Sequence, residues 1–213
     1  MSNNIKFLSK EDVEKCLDMK STIEAMRSAF SELSSNKVTS PLRTSMALEN
    51  KENGALFMPV YSPAINLVGL KSVMIHKDNP AKNLPMIHAM YQVFDAENGK
   101  PIAIMDGEHL TAMRTGAGSG LATDLLAPKN SNIAVIFGAG VQSEKQVEAI
   151  CTVRDIKEIY IADLEKERIN NFILKLDRKV DAELFPFENE EILNKADLIC
   201  TATSSTKPVF DHN

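Results

Sequence analysis

The residues best suited to chemistry lie between positions 133 and 163. The apolar run at 133–137 leads into the sequence GAGVQS at 138–143, and a helix-like segment follows up to about Thr152. A second apolar run at 159–162 ends on Asp163. This succession of strand, glycine turn, helix, strand and acidic residue is the context that a dinucleotide-binding fingerprint requires.

Each part of this stretch has a physical role in such a site. Gly138 permits the tight turn, and Gly140 has no side chain to keep a pyrophosphate from the free N–H groups at the helix start. The third fingerprint position holds Ser143 in place of glycine or alanine. Asp163 would bind both ribose hydroxyls and repel a 2′-phosphate, and Leu164 follows it with no arginine to receive that phosphate, which predicts NAD over NADP. An ordinary αβ turn containing glycines is the alternative.

Composition narrows the classes of partner. The 213 residues carry a net charge of −5, which argues against nucleic acid and anionic membranes. Every apolar run is far shorter than the ~18 residues of a membrane span. Cys16, Cys151 and Cys200 are odd in number and widely spaced, which predicts a reducing cytoplasm without disulfides. The four histidines lack the spacing of metal ligands, so no metal is predicted.

The first part of the chain predicts helices followed by an antiparallel sheet. Ser9 can cap a short helix, and a second helix over 20–34 has an apolar stripe expected in the core, formed by Ile23, Met26, Phe30 and Leu33. From position 42 the period changes towards two, with strands predicted over 42–48, 55–60, 67–75, 86–95 and 101–105. Asn98-Gly99 predicts a hairpin between the last two strands.

Two helical pieces, 107–115 and 116–126, precede a polar segment at 128–132. That segment predicts a boundary between a first domain at 1–127 and a NAD-binding domain at 128–213. After Asp163, helices are predicted over 164–176 and 188–195, and strands over 182–185 and 198–202. Four strands are fewer than the ~six of a complete doubly wound domain, so we expect a fragment. The fold class is α/β: an incomplete Rossmann-type doubly wound domain with an N-terminal α+β domain built on an antiparallel sheet.

Six motifs, in order, carry a resemblance to a known family. They are FMPVY at 57–61, VGLK at 68–71, NGKP at 98–101, LTAMRTGA at 110–117, GAGVQS at 138–143 and ADLICTAT at 196–203. With them the sequence resembles the ornithine cyclodeaminase/mu-crystallin family over essentially its whole length. The resemblance implies a homodimer built on the antiparallel domain, NAD(P) in the Rossmann domain, and a small amino or imino acid substrate between the two.

The resemblance places the substrate carboxylate against Arg43, Lys71 and Arg114. Guanidinium groups grip a carboxylate through two hydrogen bonds, and a desolvated lysine can act in proton transfer. Taken alone, Arg43 in a strand is more often a solvated charge. Lys71 lies in an apolar run where an unpaired lysine is costly. Arg114 is predicted at a helix start, where a cation is unfavourable unless an anion pairs with it.

The resemblance also implies the cofactor contacts. Thr115, Val141 and Gln142 would meet the pyrophosphate beside Gly138 and Gly140 of the glycine turn, and Asp163 would take the adenosine ribose. Arg114 would also contact the cofactor. Thr203 and Ser204 would lie along the cofactor, although an ordinary polar loop is the competing interpretation.

Departures from the family pattern bear on the substrate. Leu56 stands where cyclodeaminases have an acidic residue for the substrate's terminal amine, and Met86 replaces a threonine that contacts the cofactor. The family's catalytic aspartate is expected beyond residue 213. The favoured function is therefore hydride transfer at the α-carbon by an NAD-dependent amino-acid dehydrogenase or imine reductase, with Lys71 as the catalytic residue. The alternatives are an ornithine cyclodeaminase and a non-catalytic binding protein of the crystallin type.

Overall fold

The structure is a computed structural model that describes residues 4–49 and 52–210. Its helices are α1 Lys10–Cys16, α2 Met19–Ser34, α3 Glu108–Leu126, α4 Val141–Val153 and α5 Lys166–Leu176, with 3-10 helices at Pro80–Lys82 and Glu190–Asn194. Its strands are β1 Lys6–Leu8, β2 Thr44–Ala47, β3 Gly54–Ser62, β4 Leu67–Ile75, β5 Ile87–Asp95, β6 Pro101–Asp106, β7 Ile133–Phe137, β8 Glu158–Ala162, β9 Glu183–Pro186 and β10 Leu198–Thr201.

The larger sheet has six strands in the order β1-β6-β5-β4-β3-β2. All five strands predicted from the period of two are present, and their neighbours pair antiparallel. The sequence did not predict β1, which pairs parallel with β6 and makes the sheet mixed. The hairpin predicted between β5 and β6 is confirmed: Gly99 takes a φ of 74°, and the Asp95 carboxylate accepts from the N–H of Glu97.

The smaller sheet has four parallel strands in the order β10-β7-β8-β9. The central strands are apolar without alternation, because helices cover both faces of a parallel sheet. Val135, Ile136, Ile159 and Ile161 accordingly have no exposed surface. The predicted four strands and the predicted α/β fold class, with a Rossmann-type sheet beside a sheet of mainly antiparallel strands, are confirmed.

Two helices differ from their prediction. The stripe on α2 is buried at Ile23, yet Phe30 and Leu33 are 45% and 48% exposed, so the expectation that the whole stripe is core is wrong. The two pieces predicted over 107–126 form one helix, α3. Glycines weaken a helix by their intrinsic propensity, but a Cβ at Gly116 would lie 2.4 Å from the carbonyl oxygen of Lys145 in α4. Close packing on α4 therefore outweighs propensity here.

The chain divides into two compact units. The first comprises Met1–Asp18 and Ser28–Thr111, and the second comprises Met19–Arg27 and Ala112–Asn213. The first part of α2 and most of α3 thus group with the parallel sheet. The functional division at 127/128 stays a prediction.

Arg154 closes the C-terminal end of α3 inside the second unit. Its side chain is 2% exposed and donates to the carbonyl oxygens of Thr123, Asp124, Ala127, Pro128 and Val153 at 2.7–3.0 Å. Carbonyl groups at a helix end lack partners within the helix, so this one guanidinium satisfies several of them. None of the helices in the described ranges is both long and apolar enough to cross a membrane.

Candidate functional site

The glycine turn after β7 is shaped as the fingerprint predicts. Gly138 has a φ of 103°, in the region that favours glycine, and a Cβ there would lie 2.6 Å from the carbonyl oxygen of Ala202. Its N–H donates to Ala162 at 2.7 Å, which ties the end of β7 to the end of β8. Ser143, in the third fingerprint position, is completely buried in the first turn of α4.

The N-terminus of α4 presents an open anion-binding surface. Gly140 is the N-cap and makes no side-chain cap, and a Cβ there would meet only Arg168 Nη2, at 3.9 Å. Val141 and Gln142 follow, the first 56% exposed and the second half-buried. The first N–H groups of a helix have no partners within it and are suited to phosphate oxygens. These residues fit a dinucleotide pyrophosphate.

Asp163 closes the turn from the end of β8. Its side chain is 9% exposed, and its Oδ2 accepts from the N–H of Ala139 at 2.8 Å. Its Oδ1 accepts from the N–H of Glu165 at 3.3 Å and lies 3.6 Å from Arg168 Nη1. A carboxylate has about four lone-pair sites, so acceptor capacity remains for a ribose hydroxyl.

An arginine does lie near Asp163, although Leu164, the next residue, is the one that the sequence argument took into account. Leu164 is fully exposed. Arg168 lies five positions after Asp163, in the first turn of α5, and its guanidinium lies close to the Asp163 carboxylate at the end of β8. The spacing of an acidic residue and an arginine across a strand–helix turn was the available signal.

Thr203 and Ser204 follow β10 at the same edge of the parallel sheet. The N–H of Ala202 donates to the Phe137 carbonyl at 2.8 Å, so the loop leaves the sheet beside the glycine turn. Both residues are exposed, and Thr203 Oγ1 accepts from the N–H of Ser205 at 3.2 Å. The structure therefore brings the glycine turn, Asp163 and this loop together at the carboxyl ends of the strands.

Arg114 and Thr115 lie on α3 in the same unit. Arg114 is exposed in the second turn of the helix, so its predicted place at a helix start is wrong, because the two predicted pieces are continuous. The helix dipole therefore gives no reason to expect an anion beside Arg114. Thr115 is half-buried next to Gly116, which packs on the backbone of α4 at Lys145.

Lys71 projects from the middle of β4 in the first unit. It is half-buried, and its Nζ lies 5.4 Å from the centre of the Tyr91 ring on β5, the residue with which it pairs in register. An ammonium group over an aromatic face is stabilised electrostatically. Tyr91 was not recognised from the sequence, where it is one aromatic residue in an alternating strand.

Arg43 is exposed and lies one residue before β2, so its predicted place within a strand is wrong. The register still relates it to Lys71. Thr44 pairs with Phe57, which puts position 43 at the level of Met58, and Met58 pairs with Lys71. Two strand spacings of about 4.8 Å separate positions 43 and 71 in this row.

Leu56 lies next to Lys71 on one face of the sheet. It pairs with Val73, two residues along β4 from Lys71, and side chains two apart in a strand share a face. The fold therefore places an apolar side chain, that of Leu56, beside Lys71. Across the described residues, no group of three or more His, Cys, Asp or Glu side chains is arranged to hold a metal ion.

The amino-acid sequence is similar to proteins of one known family. Residues 3–213 match the model of the ornithine cyclodeaminase/mu-crystallin family. The chain is 31% identical over 204 residues to Delta(1)-pyrroline-2-carboxylate reductase of Bacillus cereus, a match covering 95% of this chain and 63% of that protein.

Two solved structures are similar over nearly the whole chain. Delta(1)-pyrroline-2-carboxylate reductase of Thermococcus litoralis, in complex with NADH and L-proline, has a TM-score of 0.91 and 37% identity, covering 97% of this chain and 64% of that one. An archaeal alanine dehydrogenase dimer with bound NAD has a TM-score of 0.86 and 32% identity, covering 96% and 62%. The chain thus spans less than two thirds of the length of these relatives, and it belongs to the ornithine cyclodeaminase/mu-crystallin family.

Proposed function

We propose that the protein is an NAD(H)-dependent oxidoreductase that transfers a hydride at the α-carbon of a small amino or imino acid. The observation that carries this proposal is the glycine turn, closed by the hydrogen bond from the Ala139 N–H to the Asp163 carboxylate at the N-terminus of α4. The named relatives support it, since they are an imine reductase and an amino-acid dehydrogenase whose solved structures hold NADH or NAD.

The residues of the second unit would hold the cofactor at defined points. The N–H groups at Gly140, Val141 and Gln142 would receive the pyrophosphate, and the free acceptor sites of Asp163 would receive a ribose hydroxyl. Thr203 and Ser204 would lie along the dinucleotide, and Arg114 and Thr115 would contribute from α3. The bound nicotinamide supplies the hydride donor or acceptor.

The residues of the first unit would hold the substrate. Lys71 and Arg43 lie in one row of the sheet, and together with Arg114 they would bind the α-carboxylate, which orients the α-carbon. Lys71 would also carry the proton exchanged with the substrate nitrogen. Because Leu56 shares the face of Lys71, a side chain ending in an ammonium would find no partner there, which favours an apolar or cyclic imino acid over ornithine.

We propose further that the first unit forms a homodimer through the sheet face opposite Lys71. Three methionines on that face, Met46, Met74 and Met90, are 48%, 38% and 39% exposed. Met46 and Met74 fall in one row through their partner Ala55, and Met90 pairs with Ser72, two residues from Met74. An apolar stripe of this kind on a sheet marks an interaction surface, and the archaeal alanine dehydrogenase is a dimer.

The cysteines favour the cytoplasm as the compartment. All three are free thiols, and burial raises the pKa of Cys151 to about 12 and that of Cys200 to about 11. The two thiols whose pKa is raised, Cys151 and Cys200, are unreactive, and three free thiols suit a reducing environment.

One assay separates the candidate activities. The natural full-length protein is given a cyclic α-imino acid with NADH, L-alanine with NAD, and L-ornithine with NAD, and both NADH absorbance and ammonia are followed. We expect NADH to be consumed with the cyclic imino acid. Ammonia release from ornithine without net NADH would identify a cyclodeaminase instead, and cofactor binding without any turnover would identify a binding protein of the crystallin type.

A further inference from the structure

We propose that Arg168 is a specificity-determining residue that lets the dinucleotide site accept NADP(H) as well as NAD(H), by receiving the 2′-phosphate on the adenosine ribose. This inference rests on the proposed dinucleotide site and extends it to a group that an aspartate at the end of the second strand ordinarily repels.

The first step concerns the position of the guanidinium. Arg168 Nη1 lies 3.6 Å from the Asp163 carboxylate, and Nη2 lies 3.9 Å from where a Cβ on Gly140 would be. The group therefore stands between the residue that binds the ribose and the turn that binds the pyrophosphate. In this proposal the guanidinium is close enough to Asp163 to receive a phosphate on the 2′-oxygen of a ribose that Asp163 holds.

The second step concerns the charge of Asp163. Two backbone N–H groups, those of Ala139 and Glu165, already donate to its carboxylate, and Arg168 is its nearest cation. Hydrogen bonds and a neighbouring positive charge compensate the carboxylate, which weakens the repulsion that would otherwise exclude a phosphate.

The third step concerns the freedom of Arg168 to bind a new anion. Its separations from Asp163 and Glu165 are 3.6 and 4.0 Å, longer than the ~2.7–2.9 Å of charge-assisted hydrogen bonds. Its side chain is 49% exposed, and Glu165, the competing acid, is 68% exposed. An arginine has five N–H donors in a planar fork that suits phosphate, so a pair of this loose geometry can rearrange on a ligand.

The test uses ADP-ribose and 2′-phospho-ADP-ribose, which differ only in the phosphate, with binding measured by calorimetry. In the unaltered protein we expect the two dissociation constants to agree within about tenfold. Arg168→Ala should weaken 2′-phospho-ADP-ribose by roughly 10- to 100-fold, the equivalent of a hydrogen bond to a charged group. ADP-ribose should change by less than about threefold, because in this proposal its pyrophosphate is held by the N–H groups at the start of α4 and its ribose by Asp163.

Two variants sharpen the reading. Arg168→Lys keeps the charge but loses the planar fork, so it should bind 2′-phospho-ADP-ribose with an affinity between those of Arg168→Ala and the unaltered protein. Arg178→Ala removes an exposed arginine beyond the end of α5 and should leave both ligands unchanged. Retained ADP-ribose binding shows that each variant is folded.

Three outcomes would overturn the inference. ADP-ribose binding without measurable 2′-phospho-ADP-ribose binding would show that Asp163 excludes the phosphate despite Arg168. Equal weakening of both ligands by Arg168→Ala would assign the arginine to the pyrophosphate or to the fold. Failure of both ligands to bind the unaltered protein would remove the proposed dinucleotide site itself, which is a different result from the first two.

Discussion

The two sheets of this protein present functional groups in different ways. In the parallel sheet the strands are completely buried at Val135, Ile136, Ile159 and Ile161, and the predicted cofactor residues that follow these strands lie beyond the strand ends, in loops or in the first turn of α4. In the larger sheet the strands are mostly half-buried, and Lys71 projects from the middle of one of them. A buried parallel strand has no face to offer a ligand, whereas a half-covered antiparallel strand has one.

Backbone conformation decides whether a loop such as 138–140 binds phosphate, so changes there act through φ angles and main-chain contacts. On an open sheet face, function belongs to single side chains, which can be exchanged without disturbing the strand. Cofactor binding and substrate chemistry should therefore respond to different kinds of substitution.

The largest expected effect is on turnover, and it comes from the face of the larger sheet that carries Lys71. Lys71→Met should lower turnover by ~10²–10⁴-fold through loss of proton transfer, beyond about 1.5–3 kcal/mol of substrate binding. The dissociation constant for NADH should change less than about twofold, since Lys71 belongs to the unit without the glycine turn. Methionine has a similar length and is apolar, so the strand should persist.

The control for this variant is Lys77→Met. Lys77 is 55% exposed just beyond the end of β4 and pairs with Glu52 at 3.8 Å. Both variants are assayed for turnover and for NADH binding on the natural full-length protein. Full turnover in Lys71→Met would make the lysine a structural residue and would move the substrate away from this face.

The second largest expected effect is on the stability of the second unit, where the buried Arg154 binds carbonyl groups at the end of α3. Arg154→Met should lower the free energy of unfolding by about 3–5 kcal/mol, because it leaves buried carbonyl groups without donors. Lys129→Met, at a 79% exposed partner of Asp124, should cost less than about 1 kcal/mol. Urea denaturation of the two variants and the unaltered protein gives both values. Similar small losses for both would mean that water replaces the guanidinium at the end of α3.

The same contrast explains what the sequence could predict. Period and turn residues are local, so nine of the ten strands in the described ranges, the Asn98-Gly99 hairpin and the Gly138 turn were predicted correctly. The strand that was missed, β1, is short and pairs with a segment distant in sequence. What failed depends on packing between segments distant in sequence. The glycines of α3 suggested a break, but the backbone of Lys145 lies against Gly116 and the helix continues.

Side-chain partners were the other class of failure. Arg154 and Arg168 are ordinary charged residues in the sequence, and the fold shows that one binds the carbonyl groups at the end of α3 and the other lies beside Asp163. The exposure of Phe30 and Leu33 was also missed, because apolar residues at helical spacing do not show how much of the helix packs against the core. The positions of Arg43 and Arg114 within their elements were missed by one residue and by about two turns respectively.

A third prediction separates backbone shape from ligand access within the glycine turn. Gly138→Ala should destabilise the protein by about 1–3 kcal/mol, because an alanine at a φ of 103° is strained and its Cβ would meet the Ala202 carbonyl. Gly140→Ala has an extended backbone and open space, so stability should change by less than about 1 kcal/mol.

For ADP-ribose binding, Gly140→Ala should be the more damaging of these two substitutions. The Cβ of Gly140→Ala would stand where a pyrophosphate approaches the helix N-terminus, and ADP-ribose affinity should fall by about tenfold or more. Thermal unfolding and calorimetric titration of both variants provide the comparison. Undiminished ADP-ribose affinity in Gly140→Ala would place the phosphates elsewhere on the parallel sheet.

The smallest expected effect concerns Asp124, the carboxylate beside Arg154. Hydrogen bonds from Arg27, then Lys129 and Arg154, lower the pKa of Asp124 from 3.8 to about 2. A depressed pKa means that the folded state favours the ionised form, so the contribution to stability is fully present above the unfolded pKa, near pH 4. It is lost as the pH falls through the folded pKa, near pH 2.

Asp124→Asn removes this titration while keeping the shape of the side chain. The unfolding free energy of the unaltered protein should exceed that of the variant at about pH 5, and the difference should shrink between about pH 4 and pH 2 as Asp124 is protonated. The other carboxylates titrate in both the unaltered protein and Asp124→Asn. The difference between the two unfolding free energies therefore reports on Asp124 alone. The effect should be modest, since Lys129 is largely exposed to solvent. A difference that stays constant over this range would show that the three cations hold the end of α3 through hydrogen-bond geometry alone, and that the charge of Asp124 contributes nothing to the closed unit.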